Sequence, residues 1–177
     1  MMYFLIVISI FYALLILYLR YGFHQVKEFV SEEKPAKTSF SIIIAFRNEA
    51  ANLPQLFLTL KKLKYPVHLF EIILVNDDST DNSEAISNEF KNSNPQLHIS
   101  VLKNQQPKSA KKAAINTGIN SAEKEYIITT DADCEVPENW LTEFDCFIQK
   151  TEVKFISGPV VFEKGKGLLN IFQRIDF

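Results

Sequence analysis

The sequence of 177 residues has few of the residue types that stabilise small secreted domains or form glycine-rich phosphate loops. Its two cysteines, Cys134 and Cys146, are too few for a disulfide scaffold, so we expect both thiols to be reduced. Its five glycines form neither a Gly-x-Gly-x-x-Gly pattern nor a P-loop. A dinucleotide or a P-loop triphosphate would therefore find no glycine-rich backbone cradle, and any phosphates must be held by side chains or by a metal ion.

An excess of positive charge is also absent. The formal net charge of −2 gives no general case for binding nucleic acid. Lysines cluster locally, but such clusters are commonly solvated faces. The clustered lysines are Lys61, Lys62 and Lys64, and again Lys108, Lys111 and Lys112. The share of hydrophobic residues, 47%, and of charged residues, 23%, is typical of a globular protein, and the length suits one domain.

The first nineteen residues contain no charged side chain. As a helix they would reach about 28 Å, which is close to the hydrocarbon thickness of a bilayer. A cleaved signal peptide fits less well, because no basic residue precedes the apolar run and no small-residue cleavage pattern follows it. A surface helix of a small domain would show a polar face, and this run has none. The sequence therefore predicts a transmembrane anchor over residues 1–20.

Basic residues follow this span and none precedes it. The first of them are Arg20, Lys27, Lys34 and Lys37. The positive-inside rule then predicts a single amino-terminal span, with everything after Arg20 in the cytoplasm. Residues 21–38 are charged, contain one proline and are predicted to be a juxtamembrane linker.

From residue 39 onwards, short apolar runs alternate with segments of helical periodicity. The predicted strands are 41–45, 70–75, 97–102, 126–130 and 153–158. The helices between them are predicted to begin near Asn52, Asp81, Ser109 and Pro137, with Asn52, Ser109 and an Asp81–Glu84 capping box as the amino-terminal caps of the first three. Strands that alternate with helices indicate an α/β domain with a parallel sheet covered by helices, here residues 39–177.

Polar clusters follow three of the predicted strands. They are residues 47–49, Asp77 with Asp78, and Asp131 with Asp133. Each cluster alone could be ordinary turn chemistry. In open α/β sheets, however, ligands bind outside the carboxyl ends of the strands, so three clusters at one edge predict a site for a polar ligand.

The Asp131-Ala-Asp133 triplet is the most acidic of these clusters. In an extended segment, side chains two apart leave on the same side, so the two carboxylates would repel each other unless a cation joined them. Hard oxygen ligands suit Mg²⁺ or Mn²⁺. The competing interpretation is that the aspartates only cap a turn before the next helix.

Four segments, SIIIAFRNEAANL, ILVNDDSTDNS, KKAAINTGI and TTDADCEVPENWL, arrive in an order and spacing that resemble the inverting glycosyltransferases of family 2. The resemblance covers residues 40–177. It implies a Rossmann-like A-type fold, with a mostly parallel sheet and helices on both faces. It also implies metal-assisted transfer of a sugar from a nucleoside diphosphate sugar, such as a UDP-sugar, to an acceptor hydroxyl with inversion.

The resemblance assigns roles by position. It places Ala45, Phe46, Arg47 and Glu49 along the nucleoside pocket. It implies that Asp77 or Asp78 accepts a hydrogen bond from the N–H of a uracil-like base, and it leaves the choice between the two open. It places Lys111 near the diphosphate, with Lys108 and Lys112 as lesser alternatives. Asp131 would contact the ribose or the metal, and Asp133 would bind the Mg²⁺ or Mn²⁺ that bridges the diphosphate.

The chain departs from the family pattern in its last residues. An inverting transfer needs a general base, and the family's acidic base lies well downstream of its D-x-D triplet. The late acids Glu163 and Asp176 lack the family's setting, and Asp176 is read as helix surface. We therefore expect the base and the acceptor surface beyond Phe177, with residues 39–177 forming an incomplete, donor-binding half.

Two other functions fit part of the pattern. A nucleotide-sugar-binding or regulatory protein without turnover would also lack the base. A nucleotidyltransferase of similar fold would need a glycine-rich, basic first loop, whereas the loop FRNEAAN contains no glycine. The expected partners are a nucleotide-sugar donor, the membrane and an acceptor that is a polysaccharide, a lipid or another glycan, but not a nucleic acid.

Overall fold

The computed structural model describes residues 2–25, 29–30, 34–104, 110–151, 153–158 and 160–161. The chain forms two compact units, Met1–Glu33 and Lys34–Phe177. The predicted roles of Glu163 and Asp176, and the helix cap at Ser109, lie outside the described residues.

The described residues of the first unit contain one helix, α1, over Met2–His24. Within it, the 22 residues Tyr3–His24 have a mean hydropathy of 2.2 over their most apolar window. By length and composition this helix can cross a membrane, a test that a signal sequence also passes. Its apolar side chains are exposed along its length, as in a helix that needs an apolar surrounding.

The second unit contains a four-stranded parallel sheet in the order β3-β2-β1-β4. The strands are β1 Phe40–Phe46, β2 Phe70–Asn76, β3 Ile99–Lys103 and β4 Tyr126–Asp131. The helices are α2 Leu53–Leu60, α3 Ser83–Ser93, α4 Lys111–Ser121 and α5 Trp140–Thr151, with a short 3₁₀ turn at Val67–Leu69. The predicted parallel α/β sheet is thereby confirmed.

Helices cover both faces of this sheet because β1 and β2 are apolar on both sides. On one face, Ile42 and Ile44 pack with the buried side chains of α2, α3 and α5. On the other, Ile43 and its neighbours on β2 pack with Ala114 of α4. Gly118 lets α4 approach closely, since a Cβ atom there would lie 2.5 Å from Cγ2 of Ile43.

The predicted fifth strand is wrong, because residues 153–158 form no strand. The run is short and contains apolar side chains, but they do not all face the core. Phe155 is 85% exposed, whereas Ile156 packs against the core on the face of the sheet that carries Ile42 and Ile44. The carbonyl of Val153 accepts a hydrogen bond of 3.1 Å from the hydroxyl of Tyr126. Side-chain contacts, rather than a backbone ladder, therefore hold this segment.

Two predicted helix caps are also wrong. No side-chain hydrogen bond caps α2 at Asn52, whose amide donates to the Glu49 carboxylate at 2.7 Å. The Asp81–Glu84 capping box does not form, because α3 begins at Ser83 and Glu84 accepts from the amide of Asn76 at 3.0 Å. The acidic and amide side chains of these loops bond to neighbouring segments instead.

A buried carboxylate ties the segment before β1 to α5. Asp145 accepts hydrogen bonds from the backbone N–H of Lys37 and of Thr38, each at 3.1 Å, and from the Thr38 hydroxyl at 2.6 Å. The amide of Gln149 adds a fourth at 3.0 Å. Burial alone would raise the pKa of Asp145, but these hydrogen bonds together hold it below its usual range. The carboxylate therefore stays ionised inside the fold.

Candidate functional site

A cleft of about 200 Å³ lies where β1, β2 and β4 end. Parallel pairing places Ala45 of β1 level with Val75 of β2 and with Asp131 of β4. Residues far apart in sequence therefore meet at one edge of the sheet. The cleft is lined by Ala45, Phe46, Arg47, Glu49, Asp77, Lys111, Asp131, Ala132 and Asp133.

Asp78 was named from the sequence as an alternative to Asp77, but it does not line the cleft, and the lesser candidate Lys108 lies outside the described residues. Asp78 is exposed and has a positive φ of 61°, so the chain turns it away directly after β2. Its neighbour Asp77 lines the cleft and is only 5% exposed. The backbone N–H of Asp77 donates to the Phe46 carbonyl at 2.9 Å, which fixes it beside the end of β1.

Asn104 contributes to the site and was missed by the sequence analysis. Its side-chain amide donates to Oδ1 of Asp77 at 2.6 Å, and its backbone N–H donates to the Asn76 carbonyl at 2.9 Å. A usable signal was present, because Asn104 directly follows β3, whose carboxyl end lies at the same edge of the sheet. An amide that donates to a buried carboxylate fixes the orientation of that carboxylate.

The loops that follow β1 and β2 are held together by hydrogen bonds that were not predicted from the sequence. Asn48, with a φ of 57°, accepts from the backbone N–H of Thr80 at 2.8 Å and donates its own backbone N–H to the Ser79 hydroxyl at 3.1 Å. The backbone N–H of Glu49 donates to the Ser83 hydroxyl at 2.8 Å. Arg47 and Glu49 are thereby fixed relative to the end of β2.

Asp81 extends this network. It accepts from the hydroxyl of Ser83 at 2.5 Å, from the backbone N–H of Ser83 at 3.0 Å and from the backbone N–H of Ala50 at 3.1 Å. These bonds, led by the Ser83 hydroxyl, lower the pKa of Asp81. The aspartate therefore acts as an ionised acceptor between the loops rather than as a helix cap.

The acidic triplet forms a turn rather than an extended segment. The strand ends at Asp131, and the backbone N–H of Cys134 donates back to the Asp131 carbonyl at 3.3 Å. The alternation expected of a strand therefore does not continue through Asp133. Both carboxylates nevertheless line the cleft, because the turn at Ala132 brings Asp133 round to it.

Lys111 pairs with one of these carboxylates. Its Nζ atom lies 2.7 Å from Oδ1 of Asp131, and the two side chains are 61% and 55% exposed. Lys111 is the first residue of α4, so the ion pair links the start of a helix to the end of a strand. The adjacent Lys112 is exposed and does not line the cleft.

The donor set fits a divalent cation shared with a ligand. Among the residues that the structure describes, no three His, Cys, Asp or Glu side chains are grouped so as to hold a metal by themselves. Asp131 and Asp133 supply two carboxylates at the cleft. Protein-bound Mg²⁺ is commonly held by one or two carboxylates together with water and substrate phosphates. The residues therefore suit a cation bound with a phosphate ligand.

The comparison with protein families shows to which family the chain belongs. The model of Glycosyl transferase family 2 matches residues 41–174, which is more than half of the chain. The chain belongs to Glycosyl transferase family 2.

Curated relatives agree with this membership of the family. Glycosyltransferase AglE of Haloferax volcanii is 29% identical over 127 residues, which cover 72% of this chain and 41% of that protein. The undecaprenyl-phosphate 4-deoxy-4-formamido-L-arabinose transferase of Proteus mirabilis is 36% identical over 98 residues, covering 55% and 29%. The alignments thus span less than half the length of these relatives.

Solved structures show the same fold. A mannosyltransferase, PcManGT from Pyrobaculum calidifontis in complex with GDP-Man and Mn²⁺, superposes with a TM-score of 0.66 at 22% identity over 78% of this chain and 40% of that one. TarS of S. aureus in complex with UDP-GlcNAc gives 0.59 at 23% identity, over 69% and 37%. These likenesses confirm the predicted A-type glycosyltransferase fold.

Proposed function

We propose that the cleft binds a nucleoside diphosphate sugar, with a UDP-sugar as the first choice, and positions it for inverting transfer to an acceptor hydroxyl. One observation carries this proposal: a buried carboxylate, a lysine and two further carboxylates, from three parts of the chain, line a single cleft at the carboxyl ends of parallel strands. A nucleoside diphosphate has a hydrogen-bonding base at one end and a diphosphate further along, and these parts match the buried carboxylate, the lysine and the two further carboxylates.

Asp77 is the residue proposed to recognise the base. Uracil presents a ring N–H, and an ionised carboxylate accepts such a donor. Asp77 is buried and its carboxylate is oriented by Asn104, so a base that offers a ring N–H to this carboxylate is favoured. Asp78 is not proposed for this role, since it lies outside the cleft. Guanine also presents a ring N–H, so a donor panel must include GDP-sugars.

Lys111, Asp131 and Asp133 are proposed to hold the diphosphate end of the donor. A lysine ammonium is a suitable partner for phosphate oxygens. Asp131 and Asp133 would hold Mg²⁺ or Mn²⁺ beside them, and the PcManGT complex with Mn²⁺ supports a divalent cation in a protein of this fold. When bound, the cation offsets the negative charge that develops on the leaving nucleoside diphosphate.

The proposed reaction is a single displacement at the anomeric carbon. The acceptor oxygen forms a bond to that carbon as the bond to the diphosphate oxygen breaks, which inverts the configuration. The proton of the acceptor hydroxyl passes to a general base. The residues proposed here bind and orient the donor.

The setting proposed for this reaction is the cytoplasmic face of a membrane, with α1 as the anchor. The apolar helix and the basic residues that follow it support this orientation. Two relatives are named for lipid-linked chemistry, the undecaprenyl-phosphate transferase of Proteus mirabilis and the beta-monoglucosyldiacylglycerol synthase of Synechocystis. A membrane-held lipid or a growing glycan is the acceptor class that we propose.

The test is the binding of a UDP-sugar by the full chain in detergent micelles, with and without a chelator of divalent cations. Asp133→Asn removes one proposed metal ligand, so we expect metal-dependent affinity to fall at least tenfold, about 1.4 kcal/mol. Glu135→Gln is the matched control, because Glu135 is exposed and does not line the cleft. Equal binding by Asp133→Asn and the parent, with and without chelator, would reject the metal site.

A further inference from the structure

The Lys111–Asp131 ion pair lies in the part of the cleft where the diphosphate and the cation are proposed to bind. The two ends of the pair are set by packed elements. Lys111 begins α4, which is anchored to the sheet through the buried Ala114 and the closely packed Gly118. Asp131 ends β4 in register with Ala45. The backbone therefore holds these two side chains opposite each other.

Asp131 consequently has two competing partners. In the structure its Oδ1 lies 2.7 Å from the Lys111 ammonium, whereas in the proposed complex it holds a divalent cation. A fixed positive charge beside a carboxylate opposes the binding of a second cation there. Lys111 likewise has two possible anionic partners, Asp131 in the structure and the donor's diphosphate in the proposed complex.

We propose that Lys111 is a placeholder cation. In the structure it neutralises Asp131, and with a donor and a divalent cation bound it would pair with the diphosphate, which would leave Asp131 available to hold the cation. This inference rests on the proposed function of the cleft and adds a positioning role that couples the two ligands. Metal alone binds weakly because Lys111 occupies its site, and each ligand strengthens the binding of the other.

The exposure of the pair makes such an exchange easy. Both side chains are more than half exposed, and exposed ion pairs contribute little to stability, so breaking this one costs little. Lysine also carries its charge on a flexible four-carbon stem with three donors, which suits it to change partners. In both states Asp131 faces a cation and Lys111 faces an anion, so neither charge is left unpaired.

The test is the affinity of Lys111→Gln for two ligands, measured on the full chain in detergent micelles. Mn²⁺ binding without nucleotide is read from the loss of the free-ion signal in electron paramagnetic resonance. We expect Lys111→Gln to bind Mn²⁺ alone about three- to fivefold more tightly than the parent, because the competing charge is gone. At saturating Mn²⁺ we expect it to bind UDP at least tenfold more weakly, since the diphosphate loses a charged partner.

Opposite signs for the two ligands distinguish a placeholder from a merely structural lysine, whose loss would weaken both. Lys112→Gln makes the same charge change one residue further along α4, outside the cleft, and should stay within about twofold of the parent for both ligands. Lys111→Arg keeps the ion pair and should restore the weak binding of Mn²⁺ alone. Circular dichroism of each variant verifies the fold.

The failures of the two proposals can be told apart. If Asp133→Asn weakens Mn²⁺ binding but Lys111→Gln leaves it unchanged or weaker, the placeholder role is rejected and the metal site stands. If neither Asp131→Asn nor Asp133→Asn alters Mn²⁺ binding, or if no variant binds Mn²⁺, the metal site itself is rejected. The placeholder role of Lys111 is then rejected as well.

Discussion

Replacing Asp145 by alanine should destabilise the folded unit by about 3–5 kcal/mol, although Asp145 lies outside the cleft. The residue is 1% exposed and accepts four hydrogen bonds, two of them from the backbone N–H and the hydroxyl of buried Thr38. Alanine would leave those donors buried without an acceptor. Each such donor costs about 1–3 kcal/mol, and losing a charged acceptor lies at the upper end of that range.

The assay is urea unfolding of the full chain in detergent micelles, followed by the fluorescence of Trp140. This residue is the only tryptophan and lies on α5, the same helix as Asp145. Glu143→Gln is the control, because Glu143 is exposed on the same helix and should change stability by less than about 0.5 kcal/mol. A loss below about 1 kcal/mol in Asp145→Ala would refute the reasoning that these hydrogen bonds anchor the segment before β1.

The same variant makes a prediction about pH. The pKa of Asp145 is lower in the folded protein than in the unfolded chain, so its stabilising contribution is present above about pH 4 and is lost as pH falls through the folded pKa. The stability difference between the parent and Asp145→Ala should therefore shrink below about pH 4. A difference that stays constant from pH 6 to pH 3 would show that ionisation of Asp145 contributes nothing.

Two further predictions concern packing and topology. Gly118→Ala should destabilise the protein by about 1–2 kcal/mol, because the new Cβ would lie 2.5 Å from Ile43. The better helix propensity of alanine offsets only part of this cost. The control Asn120→Ala, at an exposed position of α4, should be near neutral in the same unfolding assay. In intact cells an impermeant thiol reagent should leave Cys134 unmodified and should label it after lysis, whereas buried Cys146 stays protected under native conditions in both cases. Labelling of Cys134 in sealed cells would reverse the proposed orientation.

The fold was predictable from the sequence wherever an element depends on its own pattern. The apolar runs of β1 and β2 are buried on both faces, and such runs are typical of central parallel strands. The run at residues 153–158 also carries apolar side chains, at Val153, Phe155 and Ile156, but whether it pairs depends on which neighbour offers a free edge. That information is tertiary, so the prediction of a fifth strand was wrong.

Many of the residues that line the candidate cleft were predictable from the sequence, but the contacts among them were not, and their roles stay predictions. Strand ends and the family resemblance named Asp77, Lys111, Asp131 and Asp133, and the structure places all four along one cleft. Which of Asp77 and Asp78 lines the cleft depends on the backbone, because a positive φ at Asp78 turns that residue outward. The bond from Asn104 and the Lys111–Asp131 pair join residues 27 and 20 positions apart. No local pattern encodes contacts of that range.

The most direct measurement of the central claim is to map where a nucleoside diphosphate binds. A UDP analogue with a photoreactive uracil would be crosslinked to the full chain in the presence of Mn²⁺, and the labelled tryptic peptides identified by mass spectrometry. The account predicts labelling within residues 38–47 or 65–91, the peptides that carry Phe46 and Asp77, and its suppression by excess UDP or by a chelator. Labelling confined to other peptides, or unaffected by excess UDP, would contradict it.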